Sequence, residues 1–402
     1  MATIAILGTL DSKGAEHAFI AGIVRERGHT PLLIDVGTGA EPTVAPDVTR
    51  AEVAEAAGLD LAAVIARRDR GEAVTAMSRA APALLGRLQR EGRIDGVISL
   101  GGGGGTAIAT AAMRALPVGF PKLMVSTLAS GNTAHYLGTS DIMMMPSITD
   151  IAGLNRLSRL IFTRAAGAIC GMVEARIGTS CDKPLIVASM FGNTTACVSE
   201  ARRILEENGY EVLVFAATGA GGRSMEAIID SGIVAGVLDI TTTELADELA
   251  GGVLSAGPDR MNAAARAGVP AVVAPGCLDM VNFGEPASVP ERYAERLFYQ
   301  HNPQVTLMRT TAGECARLGR MLAEKTNAYR APAEILLPMK AVSVISAAGQ
   351  PFHDPVADEA LFGAIKETSR HPVREIGAEI NSPEFARECA HALMRLIAAA
   401  KA

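Results

Sequence analysis

Five consecutive glycines and a threonine form the segment whose composition points most directly to chemistry: Gly101, Gly102, Gly103, Gly104, Gly105 and Thr106. The run directly follows a strand-like stretch, 95–100, and directly precedes a helix-like stretch, 107–113. Glycine lets the backbone take positive φ and approach a bound group closely, and the free N–H groups of a helix's first turn attract an anion. This order predicts a phosphate-binding loop. The alternative is a tight turn without a ligand, because the run has neither the dinucleotide-binding spacing nor a terminal Gly-Lys-Ser/Thr.

A second group of polar residues follows the first strand-like run, 3–7. Thr9, Asp11 and Lys13 offer a hydroxyl, a carboxylate and an ammonium group at one strand end, where lysine can reach a phosphate as a point charge. We expect them near the glycine run, because ligand sites of parallel sheets lie beyond the carboxyl ends of the strands. The alternative is that Asp11 or Ser12 caps the next helix and Lys13 lies in solvent.

Two further strand ends in the first half carry candidate ligand contacts. Asp35 ends the second strand-like run, where a carboxylate can accept hydrogen bonds from ribose hydroxyls; a turn is the alternative for the glycine-rich segment after it. Ser126, Ser130, Gly131 and Asn132 follow a later strand. Their hydroxyl and amide groups are predicted to complete a phosphate or substrate cradle, or alternatively to cap the next helix.

The second half carries a different set of polar strand-end residues, which predicts a small-molecule substrate site. These residues are Asn193, Thr194, Thr218, Gly219, Gly221, Gly222, Arg223, Thr241, Thr242, Thr243 and Asn282. Arg223 can hold a carboxylate or a phosphate in bidentate fashion.

The catalytic candidates in the second half are Glu244, Cys277 and Asp279. Glu244 suits a general base or a magnesium ligand, but it equally complements a helix dipole. Cys277 has no histidine beside it in sequence to activate the thiol, so an inert buried cysteine is the favoured interpretation. Asp279 is predicted to hold substrate, metal or water.

These loops need a scaffold of alternating strands and helices, and the sequence supplies it twice. A weak internal repeat aligns the segment from Thr3 with the segment from Leu185, and 95–100 with 235–240. Strands that alternate with helix-length patterns predict right-handed βαβ units. We therefore predict the α/β class, with two Rossmann-like lobes whose parallel sheets are flanked by helices.

The predicted lobes cover residues 1–183 and 184–402, with the boundary near Lys183 because turn-forming residues occupy 178–184. The first lobe includes an inserted segment, 41–92, whose apolar spacing predicts two or three helices. The second lobe ends in an amphipathic helix, 382–401, which follows an N-cap at Asn381 or Ser382.

Composition limits the partners and the compartment. The chain has a formal net charge of −6, 4% aromatic residues and no basic block, which argues against nucleic acid as a partner. Its 6 cysteines have no disulfide or zinc spacing, so we expect reduced thiols, no zinc site and a cytoplasmic location. We expect no signal sequence and no membrane association, because no stretch has the length and hydrophobicity of a membrane span.

Several blocks, in order along the chain, carry a family resemblance. They are 100–106, 190–195, 217–222, 237–249 and 277–284. Through them the chain resembles the Tm-one-like ATP-binding proteins, a family that includes the N-terminal region of a plant tobamovirus-resistance protein. The likeness covers nearly the whole chain, and it implies two Rossmann-like lobes, ATP as the ligand and a homodimer.

Together these observations predict an ATP-binding, two-lobed enzyme that uses ATP with Mg²⁺ on a small-molecule substrate in the cleft between the lobes, by phosphoryl or nucleotidyl transfer. Two alternatives stay open. The first is an ATP-independent hydrolase, isomerase or lyase that binds a phosphorylated or carboxylated metabolite in the same loops. The second is a regulatory module that holds the nucleotide without turning it over.

Overall fold

A computed structural model describes residues 1–176 and 183–401 of the chain. The chain forms two compact units, an N-terminal one within residues 1–179 and a C-terminal one within 180–402. The turn predicted at 178–184 lies mostly outside the described residues, and the boundary near Lys183 stays a prediction. Within the described residues, none of the helices combines the length and the hydrophobicity needed to cross a membrane.

The N-terminal unit alternates strands and helices. Its elements are β1 (Thr3–Gly8), α1 (Leu10–Glu26), β2 (Thr30–Asp35), α2 (Arg50–Glu55), α3 (Leu61–Ala66), α4 (Arg70–Arg90), β3 (Gly96–Gly101), α5 (Gly103–Arg114), β4 (Lys122–Ser126), α6 (Ala134–Leu137), β5 (Met143–Pro146) and α7 (Arg156–Glu174). The inserted segment 41–92 therefore contains α2, α3 and α4.

The sheet of this unit is parallel, with strand order β2-β1-β3-β4-β5. Successive residues of a strand face opposite sides of a sheet, and both sides here are apolar. Ala5 and Leu7 pack with α4 and α5, whereas Ile4 and Ile6 pack with α1 and α7. The helices that follow β1 and β3 thus cover opposite faces of the sheet.

The C-terminal unit repeats this scheme and extends it. Its elements are β6 (Leu185–Met190), α8 (Thr195–Glu207), β7 (Glu211–Ala216), α9 (Ala220–Asp230), β8 (Val234–Thr241), α10 (Glu244–Ala250), α11 (Ala263–Ala267), β9 (Ala271–Gly276), β10 (Met280–Phe283), β11 (Phe298–Asn302), β12 (Val305–Arg309), α12 (Ala312–Asn327), β13 (Ala333–Pro338), α13 (Pro355–Thr368), β14 (Val373–Ile376) and α14 (Pro383–Lys401).

Its main sheet is parallel, with strand order β14-β13-β9-β8-β6-β7. The order β7-β6-β8-β9 matches β2-β1-β3-β4 of the first unit, so the predicted repeat and the α/β class with flanking helices are confirmed. A small antiparallel sheet, β10-β12-β11, was not predicted from the sequence. The tail helix α14 packs beside α8 on one face of the main sheet. Ser382 caps this helix, because its Oγ accepts a hydrogen bond from the Phe385 N–H at 3.1 Å.

The glycine run supplies a test of this fold, because its members differ in the space around them. A methyl group added at Gly101 would lie 2.9 Å from backbone atoms of Gly105 and Thr106, whereas one at Gly103 meets its nearest atom at 3.9 Å. We expect Gly101→Ala to lower the free energy of unfolding by about 1–3 kcal/mol. Gly103→Ala is expected to leave it unchanged or raise it slightly. Urea denaturation checks both variants, and equal effects would contradict the packing described here.

Candidate functional site

The strand order of the N-terminal unit creates a crevice at one edge of its sheet. The chain leaves β1 and β3, which are neighbours, toward opposite faces, and ligands of open parallel sheets bind at such a switch point. A cleft of about 770 Å³ lies there. Its walls include most of the predicted phosphate-binding residues: Thr9, Asp11, Lys13, Gly101, Gly102, Gly103, Gly104 and Gly105.

The glycine run presents free donors to this cleft. Gly102 is the N-cap of α5 and has no side chain to cap it; the first amide of the run paired within the helix is that of Thr106, which donates to the Gly102 carbonyl at 2.8 Å. Within residues 1–176 and 183–401, the N–H groups of Gly102, Gly103, Gly104 and Gly105 have no acceptor. A helix N-terminus with unpaired amides in a cleft favours an anion.

One part of the glycine prediction is wrong. No residue from Gly101 to Gly105 adopts positive φ, so left-handed backbone is not the reason for glycine here. At Gly101 the reason is close packing against the backbone of the next turn. From Gly102 to Gly105 the absent side chains instead leave space in front of the amides.

Two hydroxyl residues predicted to contact the ligand brace the loop from behind. Thr106 and Ser126 are fully buried, and their hydroxyl oxygens lie 2.8 Å apart. Thr106 Oγ1 also donates to the Gly101 carbonyl, and Ser126 Oγ accepts from the Leu128 N–H. These bonds hold the end of β3 against the end of β4. Ser130, Gly131 and Asn132 are exposed and do not line the cleft, and Asn132 Oδ1 accepts from the Ala134 N–H at the start of α6.

The loop after β1 forms the facing wall. Thr9 is the N-cap of α1 without a side-chain hydrogen bond, so neither Asp11 nor Ser12 caps this helix. Asp11 instead accepts from the Gly39 N–H at 2.8 Å, and a methyl group at Gly37 would lie 2.7 Å from its carboxyl carbon. This contact accounts for the small residues after β2. Lys13 has non-helical φ and ψ of −130° and 20°, and among the described residues its ammonium group has no partner.

Asp35 connects the two loops beneath the cleft. It is buried, and its Oδ1 accepts from the N–H groups of Leu10 at 3.1 Å and Gly37 at 2.8 Å. Burial raises the pKa of this carboxyl. Asp35 does not line the cleft, so the ribose contact predicted for it remains a prediction while its observed bonds are those of a brace.

Sequence reasoning missed one wall of the cleft. Residues from α3, α4 and the turn between them line it: Val64, Ile65, Arg68, Asp69, Arg70, Ala73 and Val74. The inserted segment was interpreted only as helices, although its basic cluster at 67–70 was a readable signal of an anion partner. Val36, Thr38, Ile108 and Asp150 are further lining residues that were not predicted as site residues.

In the C-terminal unit, the predicted base Glu244 belongs to a buried ion cluster. The Arg260 guanidinium contacts Glu244 at 2.6 Å, Asp239 at 2.6 Å and Glu226 at 3.2 Å. Glu244 also accepts from the N–H groups of Gly219 at 2.7 Å and Gly222 at 3.1 Å. Burial raises the pKa of the Glu244 carboxyl, and the positive charge of Arg260 counteracts part of this rise. A carboxylate with this many partners has no free face for a substrate.

Two of the predicted glycines of this unit, Gly219 and Gly222, contact the same cluster, while Gly221 packs against the end of β7. A methyl group at Gly222 would lie 2.2 Å from Glu244 Oε2, and one at Gly221 would lie 1.8 Å from the Ala216 carbonyl oxygen. Gly219 has φ of 77°. Arg223 is exposed and donates to the Ser255 carbonyl at 3.1 Å, while Thr218 is exposed beside it.

The threonines of the second unit also bond internally. Thr194 and Thr241 are buried with their hydroxyls 2.7 Å apart, and Thr242 donates to the Ala274 carbonyl. Thr243 lies 3.5 Å from the amide nitrogen of Asn282. Asn193 is half-buried, and its side-chain amide points to the Met280 sulfur at 3.6 Å.

Cys277 and Asp279 are fully buried at the end of β9. Cys277 has positive φ of 60°, and burial raises the pKa of its thiol, which matches the favoured interpretation of an inert cysteine. Asp279 accepts from the Ser343 hydroxyl at 2.7 Å, and burial raises its pKa to about 6. Its second oxygen has no partner in the described part of the chain.

Asn282 holds another buried carboxylate, that of Asp247. Its side-chain amide donates to Asp247 Oδ2 at 2.7 Å and its backbone N–H donates to Oδ1 at 3.0 Å. Burial nevertheless raises the Asp247 pKa to about 7. Among the described residues, no group of three or more His, Cys, Asp and Glu side chains is arranged to hold a metal ion.

The fold and the cleft define a doubly wound α/β protein with a switch-point cleft in its N-terminal unit. The chain belongs to the uncharacterised protein family UPF0261: the N-terminal domain model of the family matches residues 2–178 and the C-terminal domain model matches residues 183–397.

Relatives of this chain extend the comparison. A UPF0261 protein of Clostridium tetani is 48% identical over 98% of both chains, and UPF0261 protein RA0729 of Rhizobium meliloti is 48% identical over 99% of this chain and 100% of its own length. The tomato (Solanum lycopersicum) ToMV resistance protein Tm-1(GCR237) is 41% identical over 79% of this chain, which corresponds to 43% of the tomato protein. The resemblance found in the sequence is thus confirmed at the level of the family.

The Arg260 cluster gives a prediction for stability. Arg260→Leu would leave several buried carboxylates without their cation, so we expect it to lower the free energy of unfolding by about 3–5 kcal/mol. Arg266→Leu is the matched control, because the Arg266–Asp230 pair is half-exposed and worth less than about 1 kcal/mol. Urea denaturation compares them. Similar losses would contradict a structural role for the cluster.

Asp247 gives a prediction for pH. Its folded pKa of about 7 lies above the ordinary aspartate value of 3.8, so the folded state holds the proton more tightly and stability falls as pH rises. From pH 5 to pH 7 this group should remove about 2 kcal/mol from the free energy of unfolding. Asp247→Asn cannot titrate at this position. The free energy of unfolding of the native chain, minus that of this variant, should therefore fall by that amount over the same range. A difference that does not change with pH would contradict the raised pKa.

Proposed function

We propose that the N-terminal unit binds ATP, with the phosphates at Gly102–Gly105. The observation that carries this proposal is the row of unpaired N–H groups at the start of α5, which opens into a cleft of about 770 Å³. A cleft of this size lies within the usual range for small-molecule sites. Phosphate oxygens accept hydrogen bonds from backbone amides and complement the positive end of the helix dipole.

The other cleft residues fit the rest of a nucleotide. Lys13 adds an unpartnered ammonium group opposite the glycines, where it can neutralise phosphate charge. Ile65 and Val74, which line the cleft and are partly exposed, supply apolar surface of the kind that contacts a base. Because the described residues do not build a metal site of their own, Mg²⁺ would arrive with the phosphates and be held chiefly by them.

The internal repeat supports the position of the anion. With 235–240 aligned to 95–100, Glu244 aligns with Gly104. The Glu244 carboxylate accepts from two backbone N–H groups at the start of α9, those of Gly219 and Gly222. In the second unit, the residue aligned with Gly104 therefore brings its own carboxylate, which binds amides at the start of α9, whereas glycine in the first unit brings none. We infer one nucleotide per chain.

The remaining expectations go beyond nucleotide binding. The small-molecule substrate, phosphoryl or nucleotidyl transfer, and a homodimer follow from the family resemblance and the polar strand ends, and the cytoplasmic location follows from the cysteine usage. We keep them as proposals. The burial of Glu244, Cys277 and Asp279 favours nucleotide binding as the better-supported half of the predicted enzyme.

Calorimetric titration of the folded protein with ATP and Mg²⁺ tests the proposal. We expect one site per chain and at least a tenfold loss of affinity in Gly103→Val, whose side chain would project from an open position in the cleft wall. Gly171→Val is the matched control, because Gly171 lies in α7, is open to solvent and does not line the cleft. Absence of heat in the native chain would refute ATP binding. Equal affinity of Gly103→Val and the native chain would refute the location.

A further inference from the structure

The turn between α3 and α4 brings two unpaired cations to the cleft. Arg68 and Arg70 line it together with the glycine run. The start of α4 also touches that run, because a methyl group at Gly104 would lie 3.2 Å from Val74 Cγ2. The turn and the proposed phosphate site are therefore parts of one surface.

The charges around this turn are not balanced within the protein. Across the described ranges, the guanidinium groups of Arg68 and Arg70 donate no hydrogen bond and form no ion pair, whereas that of the adjacent Arg67 pairs with Glu72 at 2.8 Å. The acidic neighbour Asp69 is committed to the helix, since its Oδ1 accepts from the Glu72 N–H at 2.8 Å. Arg68 and Arg70 thus remain free for an external anion.

The backbone at Arg68 is a second, independent observation. Arg68 has positive φ of 53°, a conformation that favours glycine and costs energy in an arginine. Strained non-glycine residues persist where the surrounding structure holds them, often at ligand-binding positions. The strain turns the chain sharply between α3 and α4, at the place where the cleft is lined.

We propose that Arg68 and Arg70 form a guanidinium clamp that closes the cleft opposite the glycine amides and selects polyphosphate ligands. This inference rests on the proposed nucleotide site and specifies its ligand class. Guanidinium groups bind phosphate oxygens in bidentate fashion, and with Lys13 they place three cations along the cleft. A di- or triphosphate chain satisfies all three together with the amides, whereas a nucleoside or a monophosphate does not.

The test compares Arg68→Gly, Arg70→Ala and the control Arg67→Ala by calorimetry with ATP, inorganic tripolyphosphate and adenosine. Arg68→Gly removes the side chain and suits the left-handed backbone, so melting temperature should not fall and lost binding cannot be attributed to unfolding. We expect each clamp variant to weaken ATP and tripolyphosphate about tenfold, consistent with hydrogen bonds to charged groups, and to reduce the salt dependence of binding. Adenosine binding and the Arg67→Ala affinities should be unchanged.

The outcomes separate this inference from the nucleotide proposal. Native ATP affinity in both clamp variants would overturn the clamp and leave the nucleotide site intact. A native chain that binds tripolyphosphate but not ATP would refute the nucleotide proposal. If the clamp variants then lose tripolyphosphate binding, the clamp is supported. A native chain that binds neither ligand would overturn both.

Discussion

The first N–H groups of a helix have no partner within the helix, and in the N-terminal unit the sequence leaves them that way. Gly102 provides no capping side chain, and the glycines that follow have no side chains to cover the N-terminus of α5. The neighbouring bonds preserve this exposure. The Thr106–Ser126 contact fixes the loop from behind, and Asp35 ties the start of α1 to the glycines after β2. Thr106, Ser126 and Asp35 are thus paired behind the cleft, while the N–H groups from Gly102 to Gly105 have no acceptor among the described residues.

The C-terminal unit meets the same constraint in the opposite way. Glu244 supplies a carboxylate at the repeat position of Gly104, and this carboxylate accepts from two N–H groups at the start of α9. That carboxylate is buried and must be neutralised, which Arg260 does. Arg260 in turn gathers Asp239 and Glu226. The acidic residue at the repeat position of Gly104 therefore belongs to a buried ion network, whereas the glycine of the first unit lines a cleft.

The sequence predicted the scaffold well because parallel strands carry a strong local signal. The aligned runs of the repeat, such as 95–100 and 235–240, became β3 and β8 at the same place in both sheets. The antiparallel sheet of β10, β11 and β12 was missed, because its short strands have no repeat partner and lack alternation. The cleft was predicted in part. Glycine and Lys13 were found from strand ends, but Arg68 and Arg70 come from an insertion whose position over the sheet depends on packing between distant segments.

The same dependence on tertiary packing explains why sequence alone did not separate catalytic from structural carboxylates in the second unit. Glu244 and Asp279 have the residue types of catalytic groups, and sequence position alone cannot distinguish an open carboxylate from one enclosed by Arg260 or Ser343. The distinguishing fact is a pairing across many residues, such as that between Glu244 and Gly219, which follows from tertiary structure. Strand-end chemistry therefore identifies the right edge of a sheet more reliably than it identifies the group that acts there.

Overall charge adds a last constraint on the proposed ligand. The chain has a net charge of −6, so its long-range field repels a polyanion. At physiological ionic strength this field is screened beyond about 8 Å, and attraction must come from groups at contact distance. The cleft concentrates such groups, with free amides on one wall and Lys13, Arg68 and Arg70 around it. A concave site of about 770 Å³ gathers these groups on one surface of the N-terminal unit, where the proposed nucleotide would contact them.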